Sequence, residues 1–117
     1  MDIEISQLSK ADGSSSEFLL MSVNNTCSLK DFLVMDSTYD KNKKLSNIDP
    51  HVFCFPDVDV EAGEFVCLFT SSGKYKVKII DGESVHCFYW GSKAAIWNDD
   101  GDKAFLLKIG ETQAFSG

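Results

Sequence analysis

The chain contains no arginine. All 11 of its basic residues are lysines, set against 18 Asp and Glu, and the formal charge is −7 over 117 residues. Guanidinium is the usual group for bidentate contacts to phosphate and guanine, and an acidic body repels a polyphosphate backbone. Both facts argue against nucleic acid as the primary ligand. Proline is scarce too, at 2 residues, and with 44% apolar residues this speaks against a disordered chain. No run of about 18 apolar residues occurs, so no membrane insertion is expected. The opening MDIEISQLSK has neither the basic nor the apolar region of a signal peptide. It alternates from Asp2 onward, as expected of a module of a longer protein whose structure begins at once.

Paired cysteines are also missing. Cys27, Cys54, Cys67 and Cys87 stand far apart with no C-x-x-C, which removes the paired knuckles of a structural zinc site. Each lies in an apolar stretch (NTCSL, VFCFP, FVCLF, VHCFY), where a free thiol behaves as a small hydrophobe. Reduced, buried thiols are the expectation, with one disulfide left open if the protein is secreted.

What is present is β-grammar. Gly63, Gly73, Gly82, Gly91, Gly101 and Gly110 punctuate the second half every nine or ten residues, the spacing of short strands joined by turns in a sandwich or barrel. Strands are predicted in DIEISQL, EFLLMSV, FLVMD, HVFCF, EFVCLFT, KYKVKII, SVHCFYW and KAFLLKI, all rich in β-branched and aromatic residues. No window keeps a period of 3.6, so almost no helix is expected. Two segments alternate clearly. In DVDVEAGE, Asp57, Asp59 and Glu61 face away from Val58 and Val60. In KYKVKI, Lys74, Lys76 and Lys78 face away from Tyr75, Val77 and Ile79. Each is read as a strand with one wet and one dry face. ADGSSS and DSTYDKNKKLSNIDP read as polar loops. The chain is taken as one β-sandwich domain, residues 1–117, of two mainly antiparallel sheets and about eight or nine strands.

Candidate sites thin out on inspection. In NDDGD, Asp99, Asp100 and Asp102 cluster about Gly101, but an EF-hand loop would need a carboxylate at Ile96 and a Glu at Leu107. Asp-Gly between apolar runs is instead a hairpin signal, so these acids are read as turn formers and no metal or other cofactor is expected. DGESVH has His86 where a nucleophile elbow needs Gly. Ser84 and His86, two apart on a strand, point alongside each other rather than at each other. His51, Cys54, His86 and Cys87 make a poor metal set, because adjacent His86 and Cys87 leave a strand on opposite faces. Both histidines are expected to be partly buried. No catalytic constellation survives, and the chain is read as a non-enzyme. The lysine row has two readings: protection of an edge strand, which is favoured, or a patch for an acidic partner or polyanion, to which Lys41, Lys43 and Lys44 could add. Lys74, Tyr75, Lys76 and Lys78 are therefore the candidate interaction surface.

Three blocks in order resemble the lamin tail domain, an immunoglobulin-like module found in nuclear lamins, invertebrate intermediate-filament proteins and many prokaryotic proteins. Block one is FLLMSVNNTCSLKDFLVMD, matching the family at Leu29 and, with Phe in place of the family's Trp and Asp31 in place of its Gly, at Phe32. Block two is HVFCFPDVDVEAGEFVCLF, matching at Phe55, Pro56, Gly63 and Glu64. Block three is IWNDDGDKAFLLK, matching at Trp97, Gly101 and Asp102. The match runs from about Ile3 to about Ile109. The resemblance implies an immunoglobulin-like β-sandwich without catalytic residues, acting as a structural or docking module with a protein partner. Some relatives bind DNA, an activity that the absent arginines argue against here.

Overall fold

A computed structural model describes residues 1–10, 17–37, 51–92, 96–97, 103–111 and 113–116. Ten strands follow in chain order: β1 (Ile3–Ser9), β2 (Phe18–Val23), β3 (Cys27–Ser28), β4 (Phe32–Ser37), β5 (Val52–Cys54), β6 (Asp59–Val60), β7 (Phe65–Phe69), β8 (Lys76–Ile80), β9 (Glu83–Tyr89) and β10 (Lys103–Lys108). All eight sequence-predicted strands form. Of the two others, β6 falls within the alternating DVDVEAGE segment, where only Asp59 and Val60 pair, and β3 is a two-residue ladder too short to show a period. Among the described residues the only helical turn is a 3-10 turn at Leu29–Asp31. The all-β sandwich read from the sequence is what forms.

One sheet has the order β1-β2-β7-β9-β8, and the other β10-β4-β5, with β3 and β6 pairing separately. Pairing is antiparallel except between β7 and β9, which run parallel with Val66 beside His86 and Leu68 beside Phe88. Strand alternation then sorts the side chains. Ile3, Leu19, Met21, Val66, Leu68 and Phe88 of the larger sheet meet Phe32, Val34 and Phe55 of the smaller, all buried. Aromatic edges lock the two layers: Phe55 meets Phe88 at 5.2 Å and 85°, and Trp90 meets buried Trp97 at 5.5 Å and 72°. Such tilted pairings place the positive ring edge over a negative face.

The residues of the three blocks have structural work here. Leu29 and Phe32 are buried on either end of the 3-10 turn, which Ser28 caps by accepting from the Lys30 N–H. The Leu29 N–H donates to the Val58 carbonyl at 2.9 Å, so the first block is sewn to the second. Phe55 is buried and Pro56, which is exposed, follows the end of β5. Gly63 takes φ +91°, a left-handed value that a side chain would strain. Gly101 and Asp102, the rest of the NDDGD turn reading, Lys41, Lys43 and Lys44 lie outside the described residues.

The two buried carboxylates among the described residues are matched to partners, whereas the buried Trp97 indole N–H is not. The Glu17 carboxylate, fully enclosed, accepts from the backbone N–H of Ile96 at 2.7 Å and of Trp97 at 3.1 Å. Asp36, also enclosed, accepts from the His51 N–H at 2.6 Å and contacts its ring at 3.1 Å. His51 itself is exposed, which corrects the expectation of partial burial. It sits where the chain enters β5 at the edge of the smaller sheet, and only its carboxylate partner goes inside. Cys54 is exposed as well, because β5 is an edge strand with its outward side chains in solvent.

Candidate functional site

The candidate surface falls on β8, and β8 is an edge: among the described residues it pairs only with β9. The pair is a hairpin closed by Asp81-Gly82, where φ is 53° and 80°. Two positive φ values make the type I′ turn, whose twist suits antiparallel strands and which Asp-Gly supplies readily. The register runs Ile80↔Glu83, Ile79↔Ser84, Lys78↔Val85, Val77↔His86 and Lys76↔Cys87. Residues flanking a two-residue turn exchange both backbone bonds, and bonded and non-bonded pairs then alternate. Lys76, Lys78 and Ile80 therefore bond β9, whereas Val77 and Ile79 turn their N–H and C=O groups outward, away from the sheet.

The side chains of β8 depart from the sequence reading. Tyr75, Val77 and Ile79 do share a face opposite the lysines, but that face is not dry: Val77 is 47% exposed and Ile79 69%. The smaller sheet has three strands against five, and no described residue of it covers the end of the larger layer. The lysine face is equally unlike a plain wet face. Lys76 sits over the Tyr89 ring at 5.7 Å. Lys78 borders a groove of about 470 Å³ on the sheet's outer surface, with Phe18, Leu20, Phe65, Cys67, Phe69 and Val85 among its walls and Asp81 and Glu83 at the turn end. The second apolar cluster, centred on Cys67, Val85 and Cys87, forms its floor. Burial pushes the Cys67 thiol up to about 12, the neighbouring Cys87 adding to the effect. Burial also raises Cys87, against a smaller pull from Lys78 and Lys76.

Under the edge runs a chain of polar contacts that the sequence did not reveal. The Tyr75 hydroxyl meets His86 Nδ1 at 2.8 Å, and His86 Nε2 meets Glu64 Oε1 at 3.0 Å. A carboxylate only accepts, so Nε2 carries the proton toward Glu64, and in the neutral ring Nδ1 then accepts from Tyr75. Tyr75 also stacks over Phe88 at 4.8 Å. Glu64 has a further duty: its Oε1 accepts from the Glu61 N–H at 2.7 Å and so closes the Gly63 turn. That backbone bond, ahead of those from His86 and Ser84, holds the Glu64 carboxyl below its usual range. Burial first, then the Glu64 charge, pushes the Tyr75 hydroxyl up. A hydroxyl so shifted keeps its proton and is a poor nucleophile. The relay acts as a strut, tying the segment before β8 to the start of β7.

The other sequence candidates separate in space. Ser84 bonds Glu64 rather than His86. His86 faces the inner side with Tyr75, whereas Cys87 faces the outer groove. His51 and Cys54 belong to the other sheet. Lys74 is exposed just ahead of β8. The Tyr-His-Glu strut was hidden because its members come from three segments; the only hint was that Tyr75 and His86 fall on the same face of a hairpin about an Asp-Gly turn, His86 standing opposite Val77, two residues beyond Tyr75.

No family model, curated protein or solved structure matches the chain.

Proposed function

We propose that this chain is a non-catalytic interaction module of lamin-tail type that docks its parent protein to a protein partner through the β8 edge. The observation that carries the reading is the state of that strand. Its outward backbone groups at Val77 and Ile79 have no strand beside them among the described residues, and all five residues are solvent-exposed. An open edge of this kind accepts an added strand through main-chain bonds, with side-chain alternation supplying selectivity. The Tyr75-His86-Glu64 strut supports the reading by holding the edge in place without offering an activated nucleophile. The order of the three lamin-tail-like blocks supports it by analogy of motif.

Polyanion binding through the lysines is the weaker reading. Lys76 is engaged over Tyr89, and Asp81 and Glu83 stand with Lys78 around the same groove.

The test is a display selection of random peptides on the folded protein, followed by binding to Val77→Pro and Ile79→Pro variants. Proline at these positions removes an outward N–H and breaks no bond to β9. Selected peptides should lose binding to both variants while circular dichroism stays native. Peptides that bind both variants undiminished, or a selection that enriches none, would refute the docking edge.

A further inference from the structure

Given the docking reading of β8, the charge pattern of the edge specifies its occupant. We infer that β8 takes an extended peptide whose residues alternate between acidic and apolar. Residues opposite one another on adjacent strands share a face, with side chains close enough to interact. A strand laid along β8 would bond the outward groups of Val77 and Ile79, and its inner-face side chains would meet those two exposed apolar residues. That face continues into Tyr75 and Phe88, stacked at 4.8 Å, and apolar side chains there bury surface that now meets water. Its outer-face side chains would meet Lys76 and Lys78, with Lys74 beyond. Carboxylates suit that face, because ammonium groups beside a row of lysines repel.

The same pattern argues against a second copy of this chain on β8. An antiparallel β8–β8 pairing would set the two lysine rows on one face of a joined sheet, and like charges opposite one another are destabilising. The other edge of the larger sheet, β1, carries an irregularity between Ile5 and Gln7, and a bulge of this kind blunts an edge. The partner is therefore a separate acidic-apolar strand rather than the domain itself.

The experiment titrates the protein with two short synthetic peptides, one alternating valine and glutamate, the other valine and lysine, at low salt, and repeats both with a Lys76→Glu/Lys78→Glu variant. The glutamate peptide should bind wild type about tenfold more tightly than the lysine peptide, from the summed effect of close cross-strand charge pairs. The variant should reverse the order, and salt should shrink the difference. Backbone amide shifts should fall on Val77 and Ile79. Equal binding of both peptides, lost on Val77→Pro, would overturn the charge inference while leaving the docking edge intact. Failure of both peptides to bind would overturn both. Concentration-dependent dimerisation abolished by the same proline variant would also overturn the inference, by making a second copy the occupant.

Discussion

Replacing Glu17 is the sharpest test of how the core is closed. Its carboxylate is fully buried and holds the segment of Ile96 and Trp97 by two backbone bonds, at 2.7 and 3.1 Å. Glu17→Gln keeps the shape but sets an NH2 group against one of those donors. One bond is lost and one buried N–H is left unpaired, at a cost of about 1.5–3 kcal/mol for a charge-assisted bond. Glu17→Ala loses both bonds and leaves a void, so about 3–6 kcal/mol is expected. A domain of this size loses about 4 °C of Tm per kcal/mol, so the Gln variant should melt roughly 6–12 °C early. Urea titration followed by tryptophan fluorescence reads this directly, because Trp97 lies on the clamped segment. The midpoint should fall with the slope unchanged. A Gln variant within about 0.5 kcal/mol of wild type would refute the clamp.

Three further outcomes follow from particular contacts. A Cβ on Gly73 would stand 2.6 Å from the Tyr89 ring, which is stacked on Phe69 at 5.2 Å; Gly73→Ala should cost about 1–3 kcal/mol in a denaturant melt. Glu64, whose folded value lies below 4.5, contributes stability that is present above pH 4.5 and lost as pH falls through the lower folded value. Glu64→Gln should therefore differ most from wild type at neutral pH and converge with it in acid, and a gap independent of pH would contradict this. In thiol labelling of the native protein, exposed Cys54 should react first, with Cys67 and Cys87 reacting only on unfolding; prompt labelling of Cys67 would show that the groove floor is open.

The strands were legible because their composition and turn spacing are local properties. Burial was less so. Val77 and Ile79 obey the same alternation as Leu19 and Met21, yet one pair is exposed and the other enclosed, because burial depends on whether a second layer lies opposite. Asp59 and Val60 followed their alternation in burial even though the paired ladder is only two residues long. Glu64 was visible as a motif position beside Gly63, but its contact with His86 joins β7 to β9 and has no local signature. Glu17 was similarly silent: a carboxylate at a strand entrance reads as solvated until the segment it clamps, 79 residues away at Ile96, is brought beside it.

The central claim is that the β8 edge lies open, and amide hydrogen exchange on the free protein tests it residue by residue. Val77 and Ile79 should exchange far faster than Lys78, whose N–H lies between β8 and β9, giving an alternating pattern along one strand. Uniform protection across Val77, Lys78 and Ile79 would mean that the edge is already covered, and the docking account would fall.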